Sequence, residues 1–183
     1  MSEPAIPGLD DLDIRILTLL QRDATLTHGE IADEVASSKA VVWRRIRRML
    51  DEGVIRHRVA VLDHRKIGLR VMVIAQVKLA RHFSDAVPKF IEAVRGLPQV
   101  IECHTLMGSV DFQLKIVVPS IEDYEHFVWQ KLSNIEGVQE VNSVISMSQN
   151  VNTTELPLPG FERRAARKHP TRALRSSRRA PRP

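Results

Sequence analysis

The stretch SKAVVWRRIRRMLD, residues 38 to 51, decides the fold of the first part of this 183-residue chain. Ser38 can cap the start of a helix, and Gly53 can adopt the left-handed conformation beyond its last turn. The stretch therefore predicts a helix of about 14 residues and roughly 21 Å. At about 100° per residue, its apolar and cationic side chains separate onto opposite faces. The apolar face holds Val42, Ile46, Met49 and Leu50, and the opposite face holds Ala40, Arg44, Arg47 and Arg48.

Two shorter helices are predicted before this one. The segment LDDLDIRILTLLQRDA, which begins at Leu9, repeats apolar residues at helical spacing and carries aspartates near the positive end of the helix dipole. Thr27 and Glu30 have the spacing of a capping box, which predicts the start of a second helix. A tight turn before Ser38 makes the second and third helices a helix-turn-helix, with the third as recognition helix. Such a helix suits the major groove of DNA, although a solvated charged face is the plainer interpretation.

From residue 69 onwards the periodicity changes to apolar strands that alternate with amphipathic helices. The order strand, helix, strand, strand, helix, strand predicts a ferredoxin-like βαββαβ unit, with two helices on one face of an antiparallel sheet. The uncovered face favours pairing of two such sheets. The predicted strands are residues 69–80, 99–107, 112–118 and 138–149, and the predicted helices are residues 84–95 and 120–132.

We therefore expect an α+β chain, with an N-terminal winged helix-turn-helix domain and a C-terminal ferredoxin-like domain. Residues 54–68 alternate well enough to predict a further strand that leads into the hinge. The expected parts are a flexible arm at 1–8, the helix-turn-helix domain at 9–58, a hinge at 59–68, the ferredoxin-like domain at 69–158 and a disordered basic tail at 159–183.

Positive charge is distributed unevenly along the chain. The net charge is +5, but residues 160–183 contain nine Lys or Arg and one acidic residue, which leaves −3 on the rest. Within that acidic remainder, cations cluster at residues 39–58, as expected of a surface that meets a polyanion. The basic tail keeps two interpretations open, a solvated extension and a nonspecific DNA-binding arm.

Several classes of protein are disfavoured. No apolar run approaches the roughly 18 residues of a membrane span, and the N-terminus lacks the pattern of a signal peptide, so we expect a cytoplasmic protein without a membrane partner. Cys103 is the only cysteine, which excludes an internal disulfide. Cys103 and His104 are strand neighbours that point to opposite faces, and the histidines lack metal-ligand spacing. We expect no metal, no cofactor and no catalytic residues.

In this order and spacing, the motifs resemble the Lrp/AsnC family of transcription regulators, also called feast/famine regulators. The resemblance covers residues 9 to about 158. Besides the helix-turn-helix, it rests on ECH at 102–104, G-x-x-D at 108–111 and TTxLP at 153–157. The family's turn between the second and third helices usually reads Val-Gly-Leu-Ser, whereas this chain has VASS at 35–38.

The resemblance implies a sequence-specific DNA-binding transcriptional regulator whose C-terminal domain oligomerises and senses a small molecule, with an amino acid as the expected class. The implied partners are double-stranded DNA, that effector and further copies of the chain, as a homodimer or a larger homo-oligomer. Two alternatives remain open. One is an architectural DNA-binding protein without a ligand, and the other is an enzyme that resembles haem-pathway decarboxylases, for which we find no cluster of histidine, tyrosine and arginine.

Helix-turn-helix proteins contact base edges from the first turns of the recognition helix. The predicted base contacts are Lys39, Ala40, Val41 and Arg44. The Ser38 hydroxyl is expected to cap the helix and to reach a phosphate. The other predicted phosphate contacts are Arg45, Arg47, Arg48, Arg56 and Arg58.

The turn GSVD, made of Gly108, Ser109, Val110 and Asp111, is the predicted effector site. Taken alone, G-x-x-D predicts a hairpin turn that the aspartate caps. The resemblance implies in addition that backbone NH groups of this turn hold an amino acid's carboxylate, with Asp111 as the ammonium partner. Family members usually carry a tyrosine beside this aspartate, and this chain has Phe112.

Overall fold

The computed structural model describes residues 8–80 and 85–159. The expectations of a flexible arm and of a disordered tail concern residues that lie, apart from 8 and 159, outside this described part. The described residues form two compact units, one made of 8–58 and 153–159 and the other of 59–80 and 85–152. The observed division differs from the expected one, because residues 153–158 group with the N-terminal helices.

The first unit contains three helices, α1 (Asp11–Leu20), α2 (His28–Glu34) and α3 (Lys39–Asp51). Capping boxes start the first two, since Asp10 exchanges hydrogen bonds with Asp13, and Thr27 with Glu30. The apolar faces of the three helices share one core, so the predicted helices are confirmed. Its buried side chains are Ile16, Leu20, Ile31, Ala32, Val35, Val42, Ile46 and Met49.

The turn between α2 and α3 contains an unusual backbone conformation. Ala36 has a φ of +51°, in the left-handed region, at the position where the family usually has glycine. The amide of Ser37 closes the turn by donating to the carbonyl of Ala32 at 2.9 Å. The turn thus has a backbone geometry that suits glycine, although this chain has alanine at position 36.

Residues 54–63 form no strand in the described chain, so the prediction of a strand there is wrong. A strand requires a neighbour for its backbone NH and CO groups, and no described segment pairs with this one. Val59 and Val61 are 74% and 69% exposed. The alternating pattern indicates an extended segment, but it cannot supply the partner.

The second unit has the predicted βαββαβ order. Its elements are β1 (Val71–Leu79), α4 (Ala86–Arg95), β2 (Val100–Thr105), β3 (Phe112–Val118), α5 (Ile121–Phe127) and β4 (Val138–Ile145). The four strands form one sheet in the order β2-β3-β1-β4, with every neighbouring pair antiparallel. Phe90 from α4 and Phe127 from α5 pack with buried residues of the sheet in one core, and the Phe90 ring lies 4.6 Å from that of Phe112.

The second helix of this unit differs from its prediction. The single helix expected at 120–132 is an α-helix only as far as Phe127, and a π-helical turn, Val128–Leu132, follows it. Leu132 at the end of that turn is fully buried. The residue pattern of the inward face does not distinguish the two helix types over so short a length.

Residues 153–158, which we call the C-terminal strap, lie on the end of α1. The Gln21 side-chain amide pairs with the backbone of Leu156, donating to its carbonyl at 3.1 Å and accepting from its NH at 2.9 Å. The Arg22 guanidinium also lies 3.9 Å from the Glu155 carboxylate. The TTxLP motif therefore belongs to the unit that contains the helix-turn-helix.

Candidate nucleic-acid interface and effector turn

The start of the recognition helix α3 is capped as predicted. The Ser38 hydroxyl accepts a hydrogen bond from the amide of Val41 at 3.3 Å. Lys39, Ala40 and Arg44 are exposed, and Val41 is half-buried. In the described part of the chain, neither Lys39 nor Arg44 takes part in an ion pair. Two exposed cations are therefore available at the end of α3 that helix-turn-helix proteins direct to base edges.

Two of the arginines predicted to contact phosphate are instead engaged with α1. Arg45 Nη1 donates to Asp10 Oδ2 at 2.6 Å and to Asp13 Oδ1 at 3.0 Å. Arg48 Nη2 donates to the other oxygen of Asp13, Oδ2, at 2.6 Å. We call Asp10, Asp13, Arg45 and Arg48 the α1–α3 ion cluster.

Electrostatics within this cluster favour the charged forms of Asp10 and Arg45. The hydrogen bond from Arg45 is the main reason why the pKa of Asp10 lies below its ordinary value, and the backbone NH of Asp13 adds to the effect. In turn, the Asp10 carboxylate raises the pKa of Arg45, with Asp13 as the second cause. Asp10 and Arg45 therefore stay ionised at neutral pH.

Sequence reasoning did not assign Asp13 to the interface. The sequence predicts only that the aspartates of the first helix interact with its dipole, and Asp13 does contribute to the capping box. Its side chain is nevertheless only 1% exposed. The signal that could have identified it is an aspartate on the same helical face as Ile16 and Leu20, which is the face that packs in the core.

The remaining predicted phosphate contacts are exposed. Arg47 lies 3.3 Å from Asp51 in an i,i+4 pair whose side chains are 66% and 63% exposed. Such a pair is weak and easily replaced by a stronger anionic partner. Arg56 and Arg58 lie in the extended segment after α3, and both are exposed.

The turn GSVD connects β2 and β3, but its aspartate side chain binds the end of β1 and does not cap the turn as expected. Asp111 Oδ2 accepts a hydrogen bond from the amide of Leu79 at 2.7 Å, which fixes the end of β1. The amide of Asp111 donates to the carbonyl of Val77 at 3.0 Å. Phe112 is fully buried, so its ring belongs to the core rather than to the turn's surface.

The same turn has unused polar groups. Within the described residues, the amides of Gly108, Ser109 and Val110 donate to no protein acceptor. Gly108 and Ser109 are exposed, and Val110 is half-buried. The turn thus combines free backbone donors with a carboxylate, of which one oxygen is committed to Leu79.

Cys103 and His104 are separated by the strand geometry. The β2–β3 register sets Cys103 opposite Leu114 and His104 opposite Gln113, so the two side chains lie on opposite faces, as predicted. Desolvation raises the pKa of the Cys103 thiol, which lowers its thiolate fraction at neutral pH. Across residues 8–80 and 85–159, no group of three or more His, Cys, Asp or Glu has metal-site geometry. Nor does any described helix have the length and apolarity to cross a membrane.

Two family models match this chain. Residues 9–56 match a winged helix-turn-helix DNA-binding domain, and residues 72–156 match the Lrp/AsnC ligand binding domain. The glutamate uptake regulatory protein of Zymomonas mobilis is 40% identical over 163 residues, which cover 89% of this chain and 99% of that protein. The DNA-binding transcriptional activator DecR of Escherichia coli is 31% identical, over 82% of this chain and 99% of that protein.

Solved structures agree with these matches. A transcriptional regulator of Neisseria meningitidis, in complex with L-methionine, aligns with a TM-score of 0.80 and 32% identity, covering 84% of this chain and 99% of that one. An AsnC family transcriptional regulator of Agrobacterium tumefaciens aligns with a TM-score of 0.78 and 39% identity, over 84% of this chain and 100% of that one. The resemblance, the fold class and the regulatory function predicted from the sequence are confirmed. The chain therefore belongs to the Lrp/AsnC family of transcriptional regulators, which are not enzymes, and combines a DNA-binding helix-turn-helix with a domain for a small-molecule effector.

Proposed function

We propose that this chain is an amino-acid-responsive regulator that reads its operator with the N-terminal half of α3. The observation that carries this proposal is the position of Lys39 and Arg44, which are exposed and unpaired among the described residues, beside a helix start capped by Ser38. In the second half of the helix, Arg45 and Arg48 are engaged with the buried carboxylate of Asp13. The proposed base contacts are Lys39, Ala40, Val41 and Arg44.

Phosphate contacts are assigned to the exposed cations around this surface. Arg47, Arg56 and Arg58 are free to approach the backbone of the duplex, and the Ser38 hydroxyl can add a hydrogen bond. Arg45 and Arg48 are left out of the proposed contacts, because releasing them would leave Asp13 buried without its cationic partners.

For the effector, we propose the turn of Gly108, Ser109, Val110 and Asp111. Three free amides suit a carboxylate, and the Asp111 oxygen that does not bind Leu79 suits an ammonium group. This pairing is complementary to the two charged groups that all amino acids share. L-methionine, bound by the Neisseria regulator, and L-glutamate, suggested by the name of the Zymomonas relative, are the first ligands to test.

Assembly as a homodimer is also proposed. Apolar side chains are exposed on or just beyond the edge strands β2 and β4, including Ile101, Val144 and Met147 at 50%, 59% and 94%. A second copy would cover such side chains and the open face of the sheet. Two recognition helices about 34 Å apart would then meet successive major grooves, so we expect a partly palindromic operator.

The DNA-binding proposal is tested by selecting bound sequences from a pool of random duplexes. Wild-type protein should enrich one motif, and Arg44→Ala should relax the preference at one position of each half-site, at a cost of about 1–3 kcal/mol. Arg58→Ala is the matched control, since loss of a phosphate contact weakens all sequences alike. An unchanged motif with Arg44→Ala would remove this residue from the base contacts.

The effector proposal is tested by thermal shift against the twenty amino acids. A ligand at 100 times its Kd stabilises the folded protein by about 2.7 kcal/mol. Asp111→Asn should abolish the shift, because it removes the charge while an amide oxygen can still accept from Leu79. Asp63→Asn is the control, since the Asp63 carboxylate also accepts a backbone hydrogen bond, from the Arg65 amide at 3.0 Å. A full shift with Asp111→Asn would exclude Asp111 as the ammonium partner.

The dimer proposal is tested by analytical ultracentrifugation. Val144→Glu introduces a charge on the outer face of β4 and should reduce the sedimenting mass towards that of one chain. The matched control is Glu125→Gln on α5, which changes an exposed charge on the opposite layer. A wild-type protein that sediments as one chain at micromolar concentration would contradict the proposal.

A further inference from the structure

Asp13 is the only charged side chain that is buried among the described residues, with 1% of its surface exposed. A buried carboxylate is costly unless donors and opposite charges surround it. Both of its oxygens are used by the recognition helix, because Oδ1 accepts from Arg45 and Oδ2 accepts from Arg48. The folded state of this unit therefore depends on these two arginines staying close to α1.

The charges of the α1–α3 ion cluster cancel. It contains two carboxylates from α1 and its cap and two guanidiniums from α3, which carries five Lys or Arg in all. Two of the five cations of the recognition helix are thus neutralised from within the protein. Lys39 and Arg44 keep their full charge at the other end of the helix.

We propose that Asp13 is a positioning residue that limits the phosphate contacts of the DNA interface. It fixes α3 on α1 and withholds Arg45 and Arg48 from the phosphates. Nonspecific affinity depends on the number of phosphates that a protein neutralises, whereas base contacts discriminate sequences. Withholding two arginines therefore lowers the affinity for every sequence and flattens its salt dependence, and leaves discrimination between sequences to the base contacts. This inference rests on the proposed binding of DNA by α3.

The test compares Asp13→Asn with wild type on two duplexes of equal length, one with the selected motif and one with its shuffled sequence. Asparagine has the shape of aspartate but no charge and presents an NH₂ group to the guanidiniums. Arg45 then keeps only Asp10 as an ionic partner, and Arg48 keeps only Glu52, whose carboxylate lies 3.9 Å away, so both arginines are held less firmly. With up to two more phosphates neutralised, the salt slope on the shuffled duplex should steepen by up to about 1.8. The loss of affinity between 50 and 200 mM salt then becomes about tenfold larger on both duplexes, and the ratio of specific to nonspecific affinity is unchanged.

Two further variants isolate the effect of Asp13. Asp51→Asn removes the same charge from an exposed pair with Arg47, and it should change the slope much less, because Arg47 can already reach solvent. In the double variant Arg45→Gln/Arg48→Gln, Asp13→Asn should add no further steepening. Equal steepening in that background would show that the slope does not depend on the two arginines, which overturns the proposal.

Removing the Asp13 charge can also unfold the unit, so one measurement is made on a variant that retains Asp13. Arg48→Gln alone should leave the salt slope unchanged, because Arg48 is withheld from phosphate. A slope that flattens by about 0.9 would assign Arg48 to a phosphate and overturn the proposal. So would a folded Asp13→Asn protein with the wild-type slope.

Failure of the proposed function gives a different result. If wild-type protein binds the selected and shuffled duplexes equally, reading of an operator by α3 is rejected. The slopes on the shuffled duplex still report whether Asp13 withholds its two arginines.

Discussion

At the scale of single residues, Ala36 retains a conformation that costs free energy. Its φ of +51° is unfavourable for a residue with a Cβ atom, and we expect Ala36→Gly to stabilise the first unit by up to about 1 kcal/mol. Thermal unfolding should then shift upwards by several degrees. Ala40→Gly, within α3, is the matched control and should lower stability by up to about 1 kcal/mol. Equal effects of the two changes would mean that Ala36 is not strained.

Asp10 gives a prediction for pH dependence. Its pKa is lowered from 3.8 in the folded state, chiefly by Arg45, so its contribution to stability is present above about pH 4 and is lost as the pH falls through the folded-state value. Asp10→Asn keeps an oxygen for the helix cap and removes the charge. Because the side chain is 56% exposed, we expect a loss of only about 0.5 kcal/mol at pH 7.

The measurement is the urea midpoint of wild type and Asp10→Asn between pH 7 and pH 2.5. The difference between the two proteins should shrink to zero as the pH falls, because protonated aspartic acid and asparagine then interact similarly with Arg45. The lowered pKa of Glu102, caused mainly by Lys115, is common to both proteins and cancels in the comparison. A difference independent of pH would assign the effect to packing.

At the scale of elements, local signals were sufficient for most helices and strands. Thr27 with Glu30, and Ser38 with Gly53, mark helix ends because a cap forms between residues close in sequence. Structural features that depend on residues distant in sequence could not be predicted. Residues 54–63 lack a strand partner, the C-terminal strap binds α1, and Asp13 pairs with residues more than thirty positions away.

The candidate DNA-binding site likewise contains residues whose exposure could be predicted and residues whose contacts could not. The positions of Ser38, Lys39 and Arg44 follow from helix periodicity, so the sequence could predict their exposure. The engagement of Arg45 and Arg48 could not be predicted, since it depends on how α1 packs against α3. A helical wheel separates faces but does not identify which neighbour each face meets.

The C-terminal strap gives a prediction for a single element. Gln21→Leu removes both hydrogen bonds to Leu156, and each is worth about 0.5–1.5 kcal/mol. Hydrogen exchange at the Leu156 amide should therefore accelerate by about tenfold or more, while the amides of α3 keep their protection. Gln21→Glu is the control, because it keeps the acceptor for that amide. Unchanged exchange in Gln21→Leu would show that the strap is held by other contacts.

At the scale of the whole molecule, the charges relevant to DNA lie in two separate parts of the chain. One is the surface of α3 and the segment that follows it. This part belongs to residues 1–159, which together carry a net charge of −3. The other is the sequence 160–183, which carries +8 and follows the strap after Pro159. Because the strap is bound to α1, the chain enters this basic sequence from the unit that contains the recognition helix.

This connection leads to the last prediction, on deletion of residues 160–183. A basic segment tethered to a DNA-binding unit has a high effective concentration near the bound duplex, so it should add phosphate contacts without adding sequence preference. Deletion should flatten the salt slope on selected and shuffled duplexes equally, and leave the selected motif unchanged. The control is a full-length variant in which the nine Lys or Arg of this segment are replaced by Gln, which should behave like the deletion if charge is the cause. If both variants keep the wild-type slope, the segment is a solvated extension, and the recognition surface of α3 accounts for the salt dependence by itself.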